Sequence, residues 1–254
     1  MQYEIKEEND FQYIEEGNGP VLLLLHGLFG ALSNWKDVLE KFSPNYKVVI
    51  PLMPIYTLPL LNTNVKALSE FVNDFINYKN YDNITLIGNS LGGHVALVYL
   101  KKYPEKTKAM VLTGSSGLYE NAMGGTFPRR EDYNFIKQKV EYTFYDPNSA
   151  TKELVDEVFG IVNDKGKLIR ILSLAKSAIR HNMSDDLKNM TLPVCLIWGK
   201  NDTVTPPDVA EEFNRLFPDS KLYWIDQCGH APMMEKPVEF NDTLSKWLKL
   251  DIRL

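Results

Sequence analysis

Residues 84–93 have the sequence ITLIGNSLGG, which predicts a buried β-strand that runs directly into a helix. Glycines stand two residues before and two residues after Ser90, and Leu91, Val95 and Val98 then recur with helical spacing. Flanking glycines permit a very tight turn, which lifts the serine hydroxyl clear of the sheet. The alternative interpretation is a glycine-rich turn that contains an idle serine.

Further apolar runs surround this segment and predict more strands. Their near-continuous apolarity is typical of parallel strands that are covered on both faces. Two short alternating segments, near Gln2–Lys6 and Phe11–Glu15, open the chain. The other predicted strands are Val21–Leu25, Val48–Leu52, Ala109–Leu112, Val194–Trp198 and Lys221–Ile225.

Segments with helical periodicity separate these strands, at residues 65–76, 91–100, 209–217 and 240–248. Alternation of strands and helices predicts the α/β class with a doubly wound, mostly parallel sheet.

The alternation stops between Ser116 and Asn189, where three helical patterns follow one another. They lie near Asp132–Tyr142, Thr151–Val162 and Lys167–Arg180. A connection of this length is usually functional, so we expect a helical lid. The predicted division is a core of residues 1–115 and 191–254 with a helical cap of residues 116–190.

Composition excludes several classes of protein. The 254 residues are 44% hydrophobic and 24% charged, as in globular proteins, and the formal net charge of −5 provides no basic field for nucleic acid. The longest apolar run, Val21–Leu25, is too short to cross a bilayer, and the first residues are acidic. Two cysteines form no disulfide framework. We therefore expect a cytoplasmic protein without stable membrane insertion.

A serine nucleophile needs a base, and the chain offers four histidines. His230 follows the last predicted strand, so it emerges at the same sheet edge as Ser90 and is the predicted base. We expect His26 to organise the loop after its strand, His94 to pack beside the helix, and His181 to be a surface residue.

The predicted orienting acid is Asp202, which follows the Val194–Trp198 strand and precedes the His230 loop by one strand–helix–strand unit. Asp226, at the end of the last strand, is the alternative. Two backbone N–H groups, of Leu91 and of Leu28, are the predicted oxyanion donors.

These residues resemble the α/β-hydrolase fold superfamily across nearly the whole chain, from His26-Gly27 through residues 88–93 and Asp202 to Gly229-His230. The order Ser90, Asp202, His230 is similar to that of the family's catalytic triad. The resemblance implies an α/β-hydrolase fold, with an eight-stranded, mostly parallel sheet and a helical cap inserted after the sixth strand.

A closer resemblance is to the meta-cleavage product hydrolases, which split carbon–carbon bonds in vinylogous diketones. It is carried by the GNSLGG turn, by Ser33-Asn34-Trp35, and by the stretch from Phe144 to Leu154. Two positions depart from that family: Val158-Phe159 stands where it has an arginine that holds the dienoate, and Ala231 stands where it has a tryptophan.

The predicted function is therefore hydrolysis of a carboxylic ester, or a related small apolar acyl substrate, through an acyl-enzyme. Asn34, Asn89 and Phe29 are predicted to contact the substrate, and neither a cofactor nor a metal ion is expected. The alternatives are a carbon–carbon bond hydrolase of the meta-cleavage type and a non-catalytic binding member of the fold.

Two apolar regions leave alternatives open. Residues 51–59, PLMPIYTLP, either line an acyl pocket or pack on their own prolines. The aromatic side chains of the expected lid either roof the substrate or bury one helix against the next. They are Phe127, Tyr133, Phe135, Tyr142, Phe144, Tyr145 and Phe159, together with Met123.

Overall fold

A computed structural model describes residues 3–30, 35–121 and 129–250. It contains one eight-stranded sheet with the strand order β1-β2-β4-β3-β5-β6-β7-β8. Only the pairs β1–β2 and β2–β4 are antiparallel. The strands are β1 (Lys6–Glu8), β2 (Phe11–Glu16), β3 (Val21–Leu25), β4 (Lys47–Pro51), β5 (Ile84–Asn89), β6 (Thr107–Thr113), β7 (Val194–Gly199) and β8 (Ser220–Ile225). The predicted fold class is confirmed.

Helices cover both faces of the sheet. One buried cluster joins the sheet to α2, α3 and α8, and a second joins it to α1, α9 and α10. The helices are α1 (Lys36–Phe42), α2 (Val65–Lys79), α3 (Leu91–Lys102), α4 (Tyr133–Glu141), α5 (Lys152–Asn163), α6 (Lys165–Arg180), α7 (Ser184–Leu187), α8 (Pro207–Leu216), α9 (Pro232–Glu235) and α10 (Pro237–Leu250). None of these helices, in the described part of the chain, has the length and hydropathy needed to span a bilayer.

The prediction of the first strand was wrong in its position, because the strand lies later in the chain. The structure begins the sheet at Lys6–Glu8 rather than at Gln2–Lys6, and Lys6 pairs with Tyr13. Asn9 and Asp10 have φ angles of 51° and 68°, so they form a two-residue hairpin turn of the kind that suits paired strands. This turn, rather than the apolar alternation, determines which residues pair.

Between β6 and β7 the described residues form four α-helices, α4 to α7, and three of them match the predicted patterns. Each of the three begins at an acidic or hydroxyl residue whose side chain accepts a backbone N–H: Asp132, Thr151 and Asp164. The division into core and cap at residues 116 and 190 stays a prediction. The short helices α1, α7 and α9 were not predicted.

Glycines bring α3 very close to the sheet. A Cβ atom on Gly92 would lie 2.2 Å from the Leu25 carbonyl oxygen, and one on Gly88 would lie 2.5 Å from the Gly93 Cα atom. The backbone of the turn at Ser90 therefore fits against β3 and β5 only without side chains at these positions.

Replacing Gly92 with alanine is expected to lower the free energy of unfolding by about 2–3 kcal/mol, because backbone atoms must move to admit the methyl group. Gly160 in α5 is the matched control, since a Cβ atom there meets nothing within 4 Å. Gly160→Ala should stabilise the protein by about 0.5–1 kcal/mol. Denaturant unfolding measures both, and equal effects would contradict the close packing at Gly92.

Candidate active site

Five loops converge where parallel strands end, because β3, β5, β6, β7 and β8 all present their carboxyl ends at one edge of the sheet. Ser90 stands at the end of β5 with φ 55° and ψ −122°, a strained conformation for a residue other than glycine. Its N–H donates to the Thr113 carbonyl at 3.2 Å, and its carbonyl accepts the Ser116 N–H at 3.2 Å. The end of β6 thus holds the turn in place.

His230 is buried in the loop after β8 and contacts Asp202 from the loop after β7. Its Nδ1 atom lies 2.9 Å from Asp202 Oδ2 and 3.1 Å from Oδ1. The other ring nitrogen is therefore left for a partner in the cavity, which His230 and Ser90 both line. The structure brings all three predicted residues to one place.

Asp202 is held by its own loop as well. Its Oδ1 accepts the N–H groups of Val204 at 2.8 Å and Thr205 at 3.0 Å, and its Oδ2 accepts the Thr205 hydroxyl at 2.8 Å. These bonds compensate the carboxylate for burial and aim it at the imidazole. Thr205 was not predicted, although its position three residues after an aspartate is typical of such a turn.

The alternative acid, Asp226, is exposed, and no hydrogen bond or ion pair that it forms among the described residues involves His230. It forms an ion pair with Lys200 at 3.6 Å. Asp202 is the carboxylate that contacts His230.

The other histidines have separate contacts. His26 Nδ1 donates to the Gly27 carbonyl at 2.9 Å, and its Nε2 accepts the Met53 N–H at 3.2 Å, so His26 does organise its loop. His94 is fully buried in α3, and its Nε2 atom lies 3.1 Å from Nδ1 of His181. His181, expected to be a surface residue, is half-buried because its ring stacks on that of His94.

The two predicted oxyanion donors, Leu28 and Leu91, both line the cavity with Ser90. Leu91 is the first residue of α3, where N–H groups lack partners within the helix. Leu28 and Phe29, in the loop after β3, line the cavity with Ser90. Asn34, the third predicted substrate contact, lies outside the described residues.

Asn89 lines the cavity and also holds its wall together. Its side-chain nitrogen donates to the Thr113 carbonyl at 3.0 Å and to the His230 carbonyl at 3.3 Å. Asn89 therefore holds the His230 loop against the turn at Ser90, and its contact with substrate stays a prediction.

The rest of the cavity wall is mostly apolar. It is formed by Leu28, Phe29, Val140, Phe144, Leu154, Val158, Ile171, Leu172 and Ile179. Residues 51–59 are absent from this wall, and Met53 and Ile55 are buried in the core cluster that contains α2 and α3. Of the described lid aromatics only Phe144 lines the cavity, and Tyr133, Phe135 and Phe159 pack between helices instead.

Glu120, which the sequence analysis did not single out, also lines the cavity. Its Oε2 accepts the Ser116 hydroxyl at 2.5 Å. Burial raises the pKa of Glu120, against the opposing effects of that hydrogen bond and of His230. No motif signals Glu120, because it lies in a loop whose path only the fold determines.

Asp202 and Glu120 both affect the pKa of His230, the predicted base. Burial of His230 disfavours its charged form, but the Asp202 charge and hydrogen bond, assisted by Glu120, outweigh burial and raise the pKa of His230 above 6.5. A general base must be neutral to accept a proton, so a raised pKa moves the loss of activity to higher pH.

The acidic limb of kcat/KM is therefore expected to have its midpoint above pH 6.5. Glu120→Gln should move this midpoint to lower pH, because it removes one of the charges that stabilise the imidazolium. Glu157→Gln is the control, since Glu157 also has a raised pKa but lies beside Lys167 rather than His230. A midpoint that both variants leave unchanged would contradict the contribution of Glu120.

No cluster of three or more His, Cys, Asp or Glu side chains within residues 3–30, 35–121 and 129–250 is placed to hold a metal ion. Both cysteines are buried, and burial raises the pKa of the Cys228 thiol.

Comparisons with known proteins agree with the fold. A family model described as the alpha/beta hydrolase fold matches residues 20–153 and 127–237. The crystal structure of MGS-MChE2, an alpha/beta hydrolase enzyme from the metagenome of sediments of the Mar Chica lagoon, Morocco, is 46% identical. It has a TM-score of 0.80, with 97% of this chain and 98% of that chain covered.

Two curated relatives differ in the reactions that their names describe. The 2-hydroxy-6-oxo-6-(2'-aminophenyl)hexa-2,4-dienoic acid hydrolase of Metapseudomonas resinovorans is 27% identical over 92% of this chain and 86% of its own length. Lipase 3 of Moraxella sp. (strain TA144) is 24% identical over 88% of this chain and 76% of its own length.

Proposed function

The chain belongs to the alpha/beta hydrolase fold family, and from this premise we propose that it is a serine hydrolase that cleaves carboxylic esters of apolar acyl groups. The observation that carries the proposal is the contact of His230 with Asp202 in a cavity that Ser90 also lines. That arrangement supplies a nucleophile, a base and an acid that orients the base.

In the proposed reaction, Ser90 Oγ attacks the ester carbonyl and its proton passes to His230 Nε2. Asp202 keeps the Nδ1 proton and stabilises the imidazolium. The N–H groups of Leu28 and Leu91 hold the oxyanion. His230 then protonates the departing alkoxide, and the alcohol leaves the acyl-enzyme. Water, deprotonated by His230, attacks that acyl group, which releases the acid and restores Ser90.

Charge in the cavity favours a neutral ester over a dienoate. The cavity wall formed by the described residues contains the Glu120 carboxylate and one cation, Lys139, but no arginine. Val158 stands in that wall, at the position where the meta-cleavage resemblance implies an arginine. A substrate carboxylate would therefore be placed near a like charge without a bidentate partner.

Carbon–carbon hydrolysis is the second candidate, because the relative from Metapseudomonas resinovorans is named as a hydrolase of a dienoic acid, and the sequence resembles the meta-cleavage product hydrolases. The same three residues would serve it, so only substrates separate the two reactions.

A direct comparison tests the proposal: p-nitrophenyl butyrate against 2-hydroxy-6-oxo-6-phenylhexa-2,4-dienoate, followed by absorbance. We expect kcat/KM for the ester to exceed that for the dienoate by at least about 100-fold, because of the like charge at Glu120. Faster loss of the dienolate colour would assign carbon–carbon cleavage instead. If the protein cleaved neither compound, that result would contradict the proposed hydrolysis.

A further inference from the structure

The outer face of α6 is unusually apolar. Five of its residues recur at helical spacing and are exposed: Lys165, Ile169, Leu172, Lys176 and Ile179. The opposite face carries the buried Ile171, Leu174 and Ala178. A helix packed by one face normally presents polar residues on the other. Here Ile169, Leu172 and Ile179 are 52%, 36% and 46% exposed.

A second apolar segment lies alongside. Leu60 and Leu61, before α2, are 50% and 97% exposed. Arg170 Nε donates to the Leu58 carbonyl at 2.7 Å, and the Val65 N–H donates to Ser177 Oγ at 3.2 Å, so hydrogen bonds tie this segment to α6. The α6 surface, as we call it, consists of Leu60, Leu61, Ile169, Leu172 and Ile179.

Positive charge surrounds the α6 surface. Residues 56–69 and 165–180 contain six lysines and arginines and no aspartate or glutamate, in a chain whose net charge is −5. The basic residues are Lys66, Lys165, Lys167, Arg170, Lys176 and Arg180. Three neighbouring carboxylates have their own partners: Asp164 accepts two N–H groups at the start of α6, Glu157 lies half-buried beside Lys167, and Glu70 pairs with Lys102. Exposed apolar side chains within a basic field are typical of helices that lie on anionic membranes.

The α6 surface is also continuous with the cavity. Leu172 and Ile179 belong to it and line the cavity with Ser90 as well. An apolar molecule dissolved in a lipid layer would therefore meet the cavity entrance without first crossing water.

We propose that the α6 surface docks this protein onto anionic lipid bilayers, with the leucines and isoleucines entering the headgroup region and the cations contacting lipid phosphates. A second copy of the chain fits less well, because a twofold contact would oppose two like-charged basic surfaces. The inference concerns binding and stands apart from the proposed reaction.

The test is co-sedimentation of the full chain with vesicles of phosphatidylcholine alone and of phosphatidylcholine mixed with phosphatidylglycerol. We expect binding to the mixed vesicles, weaker at high salt, and little binding to phosphatidylcholine. Since one basic residue contributes roughly fivefold to such binding, the double variant Lys165→Glu/Lys176→Glu should weaken it by at least about tenfold. Leu61→Ser should weaken it at every salt concentration.

Lys41→Glu/Lys249→Glu is the matched control, since both lysines are exposed on α1 and α10, on the other face of the sheet, and the charge change is equal. This variant should bind as the unaltered protein does. Failure of the unaltered protein to bind mixed vesicles, or equal losses in the two double variants, would overturn the proposal. Self-association that Leu61→Ser abolishes, without vesicle binding, would assign the surface to a second copy and overturn it too.

Discussion

Replacement of Ser90 by alanine is expected to lower kcat/KM for p-nitrophenyl esters by at least ~10⁴-fold, because the reaction loses its nucleophile while the oxyanion donors remain. The measurement is initial-rate kinetics on purified protein. Substrate binding should change little, since the alanine methyl group fits where the serine Cβ stood. Esters that were still cleaved at the original rate would refute the proposed mechanism.

A folding control accompanies this variant. Ser90 has a φ angle of 55°, which any residue with a Cβ atom adopts only under strain. Ser90→Gly should therefore be as inactive as Ser90→Ala and more stable than it by about 1 kcal/mol. Denaturant unfolding of the two variants shows whether the loss of activity comes from the missing hydroxyl group or from a destabilised fold.

Replacement of Asp202 by asparagine should lower kcat by about 10³- to 10⁴-fold, the second largest effect. The asparagine oxygen still accepts the Val204 and Thr205 N–H groups, but its NH₂ group then faces His230 Nδ1. A donor there forces the ring proton onto Nε2, so the imidazole no longer accepts a proton from Ser90.

Asp226→Asn is the matched control, because Asp226 is exposed and is paired only with Lys200 among the described residues. Its activity should stay within about twofold of the original, since a surface ion pair contributes little. A large loss in Asp226→Asn with little change in Asp202→Asn would reverse the assignment of the orienting acid.

Topology explains why so much of the candidate site could be predicted. Ser90, Asp202 and His230 each follow a strand of a parallel sheet, and the carboxyl ends of such strands meet at one edge. The apolar runs that identify the strands therefore also place the three side chains, without knowledge of any loop geometry.

The parts of the candidate site that were not predicted depend on loops and on contacts between distant segments. Glu120 reaches the cavity because residues 114–121 cross from β6 towards the Asp202 loop, where the Asn121 N–H donates to the Val204 carbonyl at 2.7 Å. The amide of Asn89 turns to the His230 loop, and His181 meets a buried histidine in α3. These contacts have no periodicity, so a pattern in the sequence does not predict them.

Covalent labelling with a fluorophosphonate probe shows whether Ser90 is an activated nucleophile. Peptide mapping by mass spectrometry should locate a single label on Ser90, formed far more slowly in Asp202→Asn. A label on Ser115 or Ser116 instead, or labelling of Ser90 at an equal rate in both proteins, would contradict the account.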